Sequence, residues 1–136
     1  MAYIHFNNML HRDLKPGNVL LDAQWVAKIA DFGTVFDPTA STSNEGDIQG
    51  TPPYMAPEIV QKNVYDKPVD VWAFGCVLAH MGSKRPPYAW LQYIETPKQL
   101  IDVVRNAEHS PLEVNARSPP IAPRAFSCLP IPSHTL

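Results

Sequence analysis

The sequence predicts an α+β fold that is mainly helical and carries one short β-hairpin. Apolar residues surround nearly the whole circumference of a helix over residues 70–81, which is typical of a buried helix. A second helix is predicted over residues 97–106, because Thr96 can cap it and a proline occupies its first position. Two short apolar runs, residues 19–21 and 26–30, flank a four-residue turn and predict the hairpin.

The remaining segments are predicted from local composition. Residues 1–10 indicate the last turns of an amphipathic helix, followed by a turn at Asn7 and Asn8. Residues 34–49 are rich in Ser, Thr, Asp, Gly and Pro, which predicts a long loop, and long loops inside compact domains tend to be functional. Residues 109–136 are rich in proline without any period, so we expect an extended or disordered tail.

Composition limits the classes of function. The 136 residues suit one modest domain, and a formal net charge of -2 gives no basic stripe, so neither nucleic acid nor an anionic membrane surface is an expected partner. Cys76 and Cys128 form no metal-ligand cluster, which favours a reducing compartment; we expect the cytoplasm, with the nucleus as the alternative. No segment resembles a signal peptide, and no apolar run approaches the about 20 residues that span a bilayer. A soluble protein is expected.

Three short motifs stand in a fixed order along the chain. They are His-Arg-Asp-Leu-Lys-Pro-Gly-Asn at residues 11–18, Asp-Phe-Gly at 31–33 and Ala-Pro-Glu at 56–58. Two longer strings accompany them, Gly-Thr-Pro-Pro-Tyr-Met-Ala-Pro-Glu at 50–58 and Asp-Val-Trp-Ala-Phe-Gly at 70–75. With a hairpin between the first two motifs and a polar loop between the last two, this order resembles the protein kinase family. The resemblance covers residues 1 to about 104.

The resemblance implies ATP and Mg²⁺ as cofactors and assigns roles to individual residues. Phosphoryl transfer requires in-line oxygens and neutralised phosphate charge, so such a site needs metal ions, a cation and a base. Asp31 and Asn18 would bind magnesium as hard oxygen ligands. Asp13 would accept the proton of the substrate hydroxyl, and Lys15 would contact the transferring phosphoryl group. Asn18 and Lys15 thus count as both catalytic and nucleotide-binding, and Leu20 would form the floor under the adenine.

The same resemblance indicates the class of substrate. Asp-Leu-Lys at residues 13–15 is similar to the serine/threonine kinases rather than the tyrosine kinases. Thr51, which follows Gly50, would bridge Asp13 and Lys15 through its hydroxyl and is the fourth predicted catalytic residue. The longer strings look like those of the tyrosine-kinase-like group of serine/threonine kinases. We therefore expect protein substrates that are phosphorylated on Ser or Thr, and regulatory proteins as further partners.

Three more residues acquire expected roles from the family. Asp70 would anchor the backbone of residues 11–18, and Arg12 resembles the arginine of kinases that loop phosphorylation switches on, because a guanidinium can grip a phosphate. The candidate phosphate acceptors are Thr39, Ser41, Thr42 and Ser43. Glu58 pairs in the family with a downstream arginine, and neither Arg117 nor Arg124 stands in a recognisable form of that motif. An unpaired buried carboxylate can cost several kcal/mol.

Under this resemblance, residues 1–108 would form a partial kinase domain, the mainly helical C-terminal lobe, with the N-terminal lobe absent and residues 109–136 as the tail. Three interpretations follow: a fragment of a serine/threonine kinase, a non-catalytic binding or regulatory module, or a truncated gene product. Autonomous activity is not expected, because the glycine-rich loop and its partner lysine are missing. Uncovered apolar surface would also forgo on the order of 10 kcal/mol.

Overall fold

The computed structural model describes residues 1–37, 48–62, 64–106 and 111–112 of the chain. Over these residues it confirms a mainly helical α+β architecture with one two-stranded sheet. The α-helices are α1 (Ala2–Phe6), α2 (Pro57–Lys62), α3 (Lys67–Ser83) and α4 (Pro97–Asn106), and the strands are β1 (Val19–Leu21) and β2 (Ala27–Ile29). Short 3-10 turns occupy Pro16–Asn18, Phe32–Thr34 and Pro52–Tyr54. The helix predicted over residues 97–106 has the predicted bounds.

The hairpin forms where the two apolar runs predicted it. Strands β1 and β2 are antiparallel, with Val19 opposite Ile29. The turn is built on Asp22, whose Oδ1 accepts hydrogen bonds of 2.9 Å from the backbone N–H groups of Gln24 and Val26. The hydrogen bond from Val26, then that from the Lys28 side chain and that from Gln24, hold the pKa of Asp22 below its ordinary value. Val26 therefore belongs to the turn rather than to the second strand, which begins one residue later than predicted.

Helix α3 is longer than predicted and is buried on one side only. Its buried side chains are Val69, Asp70, Ala73, Cys76 and Val77. The opposite side carries Val71, Phe74, Leu78 and Met81, which are 52%, 48%, 51% and 68% exposed. The prediction of a helix buried around nearly its whole circumference is thus wrong for the described part of the chain. An apolar pattern shows which faces suit burial, whereas packing within the chain decides which faces are covered.

The core lies between α3, α2 and α4. One cluster joins the α3 side chains to the motif of residues 11–18 and consists of Leu14, Tyr54, Ala73, Cys76 and Val77. A second lies under α4 and consists of Met55, Val60, Tyr88, Leu91, Leu100, Val103 and Val104. At the start of α4, the backbone N–H of Gln99 donates to Thr96 Oγ1 over 3.3 Å, so the predicted cap is present. The segment around residues 54–60 therefore carries α3 on one side and α4 on the other.

Only two residues of the predicted tail are described, Pro111 and Leu112. The carbonyl of Pro111 accepts a 2.8 Å hydrogen bond from the N–H of Tyr88, which attaches this point of the chain to the core. The other residues of 109–136 lie outside the described part, and the boundary at residue 108 stays a prediction. Among the helices described, none has the length and apolar character that crossing a bilayer requires.

The buried thiol of Cys76 makes the stability of the chain sensitive to alkaline pH. Burial raises the pKa of Cys76 from an ordinary value of 9.0 to about 12. The unfolded chain therefore releases this proton first, so the free energy of unfolding falls as pH rises from about 9 towards about 12. Burial also raises the pKa of Tyr88, which acts in the same direction.

We expect Cys76→Ala to make the free energy of unfolding fall less steeply with pH, because the variant has no thiol to ionise. The difference in slope should correspond to about one proton. Urea denaturation of both proteins between pH 7.5 and about 10.5 measures the slope. An identical slope in the variant and the parent above pH 9.0, the ordinary pKa of the thiol, would show that Cys76 is not the buried group that titrates.

Candidate active site

A buried carboxylate on α3 holds the backbone of residues 11–18. Asp70 is 1% exposed, and its Oδ1 accepts the N–H of Arg12 over 2.9 Å. Its Oδ2 accepts the N–H of His11 over 2.8 Å and lies 2.8 Å from Nε2 of His5. Arg12 has a left-handed backbone with φ 67, a conformation that non-glycine residues adopt at a cost and that these bonds stabilise. The anchoring predicted for Asp70 is confirmed.

Four of the predicted site residues meet at the carboxylate of Asp13, which is 8% exposed. Its Oδ1 accepts the hydroxyl proton of Thr51 over 2.6 Å, and its Oδ2 accepts a bond of 2.6 Å from Lys15 Nζ. Lys15 Nζ also donates to Thr51 Oγ1 over 3.1 Å. Asn18 Nδ2 donates to the Asp13 carbonyl over 2.8 Å and to Oδ2 over 3.3 Å. Hydrogen bonds to both oxygens therefore fix the orientation of the Asp13 carboxylate.

Asp31 follows the end of the hairpin, one residue after a backbone hydrogen bond to Asn18. The residue before it, Ala30, donates its N–H to the Asn18 carbonyl over 2.8 Å and lies with its own carbonyl 3.1 Å from His11 Nε2. Asp31 itself is exposed, has φ 62, and accepts a long 3.4 Å hydrogen bond from the N–H of Gly33. The backbone therefore places Asp31 beside Asn18, while its carboxylate stays open to solvent.

Two large apolar side chains next to the site are more than half exposed. Leu20, the predicted adenine floor, is 55% exposed in the centre of β1. Phe32 is also 55% exposed and lies edge-on to the buried ring of His11, with 5.7 Å between ring centroids. Leu20 therefore presents an open apolar surface, of the kind on which a planar aromatic ring can lie.

The residues predicted to hold magnesium keep oxygens available. Asn18 uses its Nδ2 for both bonds to Asp13, so its Oδ1 has no hydrogen-bond donor among the described residues. Asp31 uses only Oδ1, for the long bond to Gly33, which leaves Oδ2 without a donor in the same part of the chain. One carboxylate and one amide oxygen suit Mg²⁺, which completes its shell with waters and phosphate oxygens. Within the described ranges, His, Cys, Asp and Glu form no group of three or more that could bind a metal by themselves.

The side chain of Arg12 lies in an aromatic setting. Its Nε donates to the Thr34 carbonyl over 2.6 Å, and its guanidinium lies 4.7 Å from the ring centroid of Phe36 and 5.4 Å from that of Tyr65. Burial lowers the pKa of Arg12, and the charges of Tyr65 and Asp70 oppose that shift, so the group stays cationic. Thr39, Ser41, Thr42 and Ser43 lie outside the described residues, as does most of the loop predicted over 34–49.

Tyr65 was missed by the sequence analysis. It stands between α2 and α3 in no motif, and its contacts with Arg12 become visible only once the chain is folded.

The close approach of residues 50 and 51 to the loop depends on glycine. Gly50 has φ 119, and a Cβ atom at this position would lie 2.7 Å from the carbonyl oxygen of Arg12. After Thr51, the chain enters the 3-10 turn Pro52–Tyr54. The hydroxyl of Tyr54 lies 2.7 Å from Nδ1 of His80 on α3, which attaches this turn to the helix. Thr51 is therefore held from both sides at the distance that lets its hydroxyl reach Asp13.

Glu58 departs from the expected buried, unpaired carboxylate. It lies in the first turn of α2 and is partly exposed, so water solvates its charge and the full burial penalty does not arise. No described residue pairs with its carboxylate. Arg117 and Arg124 lie outside the described part of the chain.

The sequence is similar to those of known proteins. Residues 1–123 match the family model described as "Protein kinase domain". Over 88 residues, 65% of this chain, the sequence is 45% identical to "Serine/threonine-protein kinase fused" of Drosophila melanogaster and 42% identical to "Serine/threonine-protein kinase SKM1" of Saccharomyces cerevisiae. These alignments span only 11% and 13% of the two relatives, so the chain corresponds to a small part of each.

Gly50 provides a test of the site's backbone geometry. We expect Gly50→Ala to lower the free energy of unfolding by about 1–3 kcal/mol, because the new methyl group meets the Arg12 carbonyl and φ is positive. Gly82→Ala is the matched control, since nothing lies within 4 Å of a Cβ there and the residue is in α3. It should be neutral or stabilising by up to about 1 kcal/mol. If chemical denaturation gave the same change in the free energy of unfolding for both substitutions, the close approach of Gly50 to the Arg12 carbonyl would be contradicted.

Proposed function

The chain belongs to the protein kinase family, and from this premise we propose that it is the catalytic-loop part of a serine/threonine kinase. The intact molecule would transfer the γ-phosphate of ATP to Ser or Thr hydroxyls of protein substrates. The observation that supports this most directly is the set of bonds on Asp13 from Thr51, Lys15 and Asn18. Both relatives described above are named serine/threonine-protein kinases.

In the proposed reaction, Asp13 accepts the proton of the substrate hydroxyl as that oxygen attacks the phosphoryl group. The carboxylate must point one way for this, and the bonds of 2.6 Å from Thr51 and Lys15 fix its rotation. Lys15 also carries a positive charge to the position where the transferred group arrives. Asn18 and Asp31 would hold Mg²⁺, which neutralises phosphate charge when bound. The Thr51 hydroxyl between Asp13 and Lys15 supports Ser/Thr rather than Tyr as the acceptor.

We further propose that residues 1–108 are the C-terminal lobe of the kinase domain and that activity requires an N-terminal lobe. The sequence has no Gly-rich phosphate loop of the kinase type. The open side of Leu20 supports the same idea, because a nucleotide ring lying there would need a second surface above it. Protein substrates, ATP and regulatory proteins are the proposed partners, and the cytoplasm is the proposed compartment.

A second candidate is a non-catalytic module that binds a protein. The observation that favours it is the apolar stripe of Val71, Phe74, Leu78 and Met81 on α3, all of them about half exposed or more. Exposed apolar surfaces of this kind commonly mark protein contacts. The third interpretation, a truncated product without function of its own, predicts neither ATP binding nor a partner.

A titration of the isolated chain with Mg·ATP separates these interpretations. We expect weak nucleotide binding and no phosphoryl transfer, because Leu20 offers one face of a nucleotide site and the sequence supplies no phosphate-covering loop. Isothermal titration calorimetry and a radiolabelled-phosphate assay measure the two quantities. Phosphoryl transfer by the chain alone would contradict the need for an N-terminal lobe. A chain that binds a protein partner but no nucleotide would favour the second candidate.

The role of Asp13 is tested in a protein that joins this chain to a kinase N-terminal lobe. Asp13→Asn should lower kcat by about 10²–10⁴-fold with little change in the KM for ATP, because it removes the base and keeps the shape. Asp102→Asn is the matched control: this exposed carboxylate on α4 pairs with Arg105, and its loss should leave kcat unchanged. Full activity of the Asp13 variant in an otherwise active protein would exclude the proposed base.

A further inference from the structure

We propose that Tyr65 is a positioning residue for Thr51, and through Thr51 for the carboxylate of Asp13. This inference rests on the proposed function. Tyr65 contacts both the backbone of Gln49 and the side chain of Arg12. Its hydroxyl accepts the N–H of Gln49 over 2.9 Å, and its ring lies 5.4 Å from the guanidinium of Arg12.

The bond to Gln49 acts on Thr51 through a short and constrained piece of backbone. Gln49 is two residues before Thr51, and the residue between them is the glycine that approaches the Arg12 carbonyl. A fixed N–H at Gln49 together with this close approach leaves the peptide little freedom to rotate. The Thr51 hydroxyl is thereby directed at Asp13, which it reaches over 2.6 Å.

The contact of Tyr65 with Arg12 acts on Asp13, the acceptor of the hydrogen bond from Thr51. The guanidinium lies over the rings of both Phe36 and Tyr65, and the two rings are inclined at 60° with 6.4 Å between centroids. A cation is attracted to aromatic faces at such distances. Arg12 is the neighbour of Asp13 in the chain, so Tyr65 contacts the segments that carry both the donor and the acceptor.

Tyr65 can serve as a fixed reference because its own position is tightly determined. The side chain is 9% exposed and packs in a cluster with Leu10, Ala56, Ile59 and Val69. The next residue, Asp66, caps α3, and α3 supplies the Asp70 carboxylate that binds the N–H of Arg12. Helix and tyrosine therefore hold Arg12 from two directions, through its backbone and through its side chain.

The alternative is that Tyr65 is only a core residue, and Tyr65→Phe separates the two roles. The substitution keeps the ring, and so the packing and the contact with Arg12, but removes the acceptor for Gln49. In a protein that joins this chain to a kinase N-terminal lobe, we expect kcat to fall about three- to tenfold, as for one neutral hydrogen bond, with an unchanged KM for ATP. Tyr88→Phe, at a buried tyrosine of another cluster, should leave kcat unchanged.

A double-mutant cycle shows whether the effect passes through Thr51. Thr51→Val removes the hydroxyl that reaches Asp13, so adding Tyr65→Phe to it should cause no further loss of kcat. Losses that multiply across the cycle would mean that the Tyr65 hydroxyl acts independently of Thr51, and would overturn the proposal.

Amide hydrogen exchange of the chain itself tests the contact without any assay of activity. Tyr65→Phe should accelerate exchange at the N–H of Gln49. The N–H groups of Leu10 and Phe36, each bonded to the carbonyl of the other, should keep their rates. An unchanged rate at Gln49 would overturn the proposal. If the protein joined to an N-terminal lobe transfers no phosphate while Tyr65→Phe still accelerates exchange at Gln49, the proposed function is overturned and the Gln49 contact remains established.

Discussion

The buried carboxylate of Asp70 is the interaction on which the rest of the site depends. A charge at 1% exposure is tolerable only with strong donors, and here two backbone N–H groups and a histidine ring surround it. The same bonds stabilise the left-handed backbone of Arg12, and thereby direct the next residue, Asp13, towards Thr51 and Lys15. A carboxylate 58 residues further along the chain than Arg12 thus holds the backbone of residues 11–18.

Around this anchor, backbone contacts bring two further elements close to residues 11–18. The hairpin brings Asp31 because Ala30 bonds to the Asn18 carbonyl, and the glycine at position 50 allows Thr51 to come close to the loop. Fixed dipoles and hydrogen bonds of this kind need no reorganisation during a reaction, which is the main way in which a protein favours phosphoryl transfer. The backbone contacts that build the fold therefore also fix the groups around Asp13, as the proposed chemistry requires.

Helix α3 has two different faces, and only one of them serves the site. Its inner face carries Asp70 and the apolar side chains that pack under Leu14, while its outer face exposes an apolar stripe. The buried thiol of Cys76 on the inner face couples the stability of the chain to pH. The stripe on the outer face is the observation behind the proposed protein-binding role.

The sequence by itself determined the hairpin, helix α4 and the identity of the family, whereas it did not predict α2 and predicted α3 too short. A proline and a capping threonine gave the bounds of α4, two apolar runs around Asp22 gave the hairpin, and the ordered motifs pointed to protein kinases. Tertiary structure alone decided which face of α3 is covered, that Glu58 is partly solvated, and that Tyr65 joins Gln49 to Arg12. The physical reason is range: caps, turns and periodicity act between residues a few positions apart, whereas burial and the pairing of distant groups arise only when the whole chain packs.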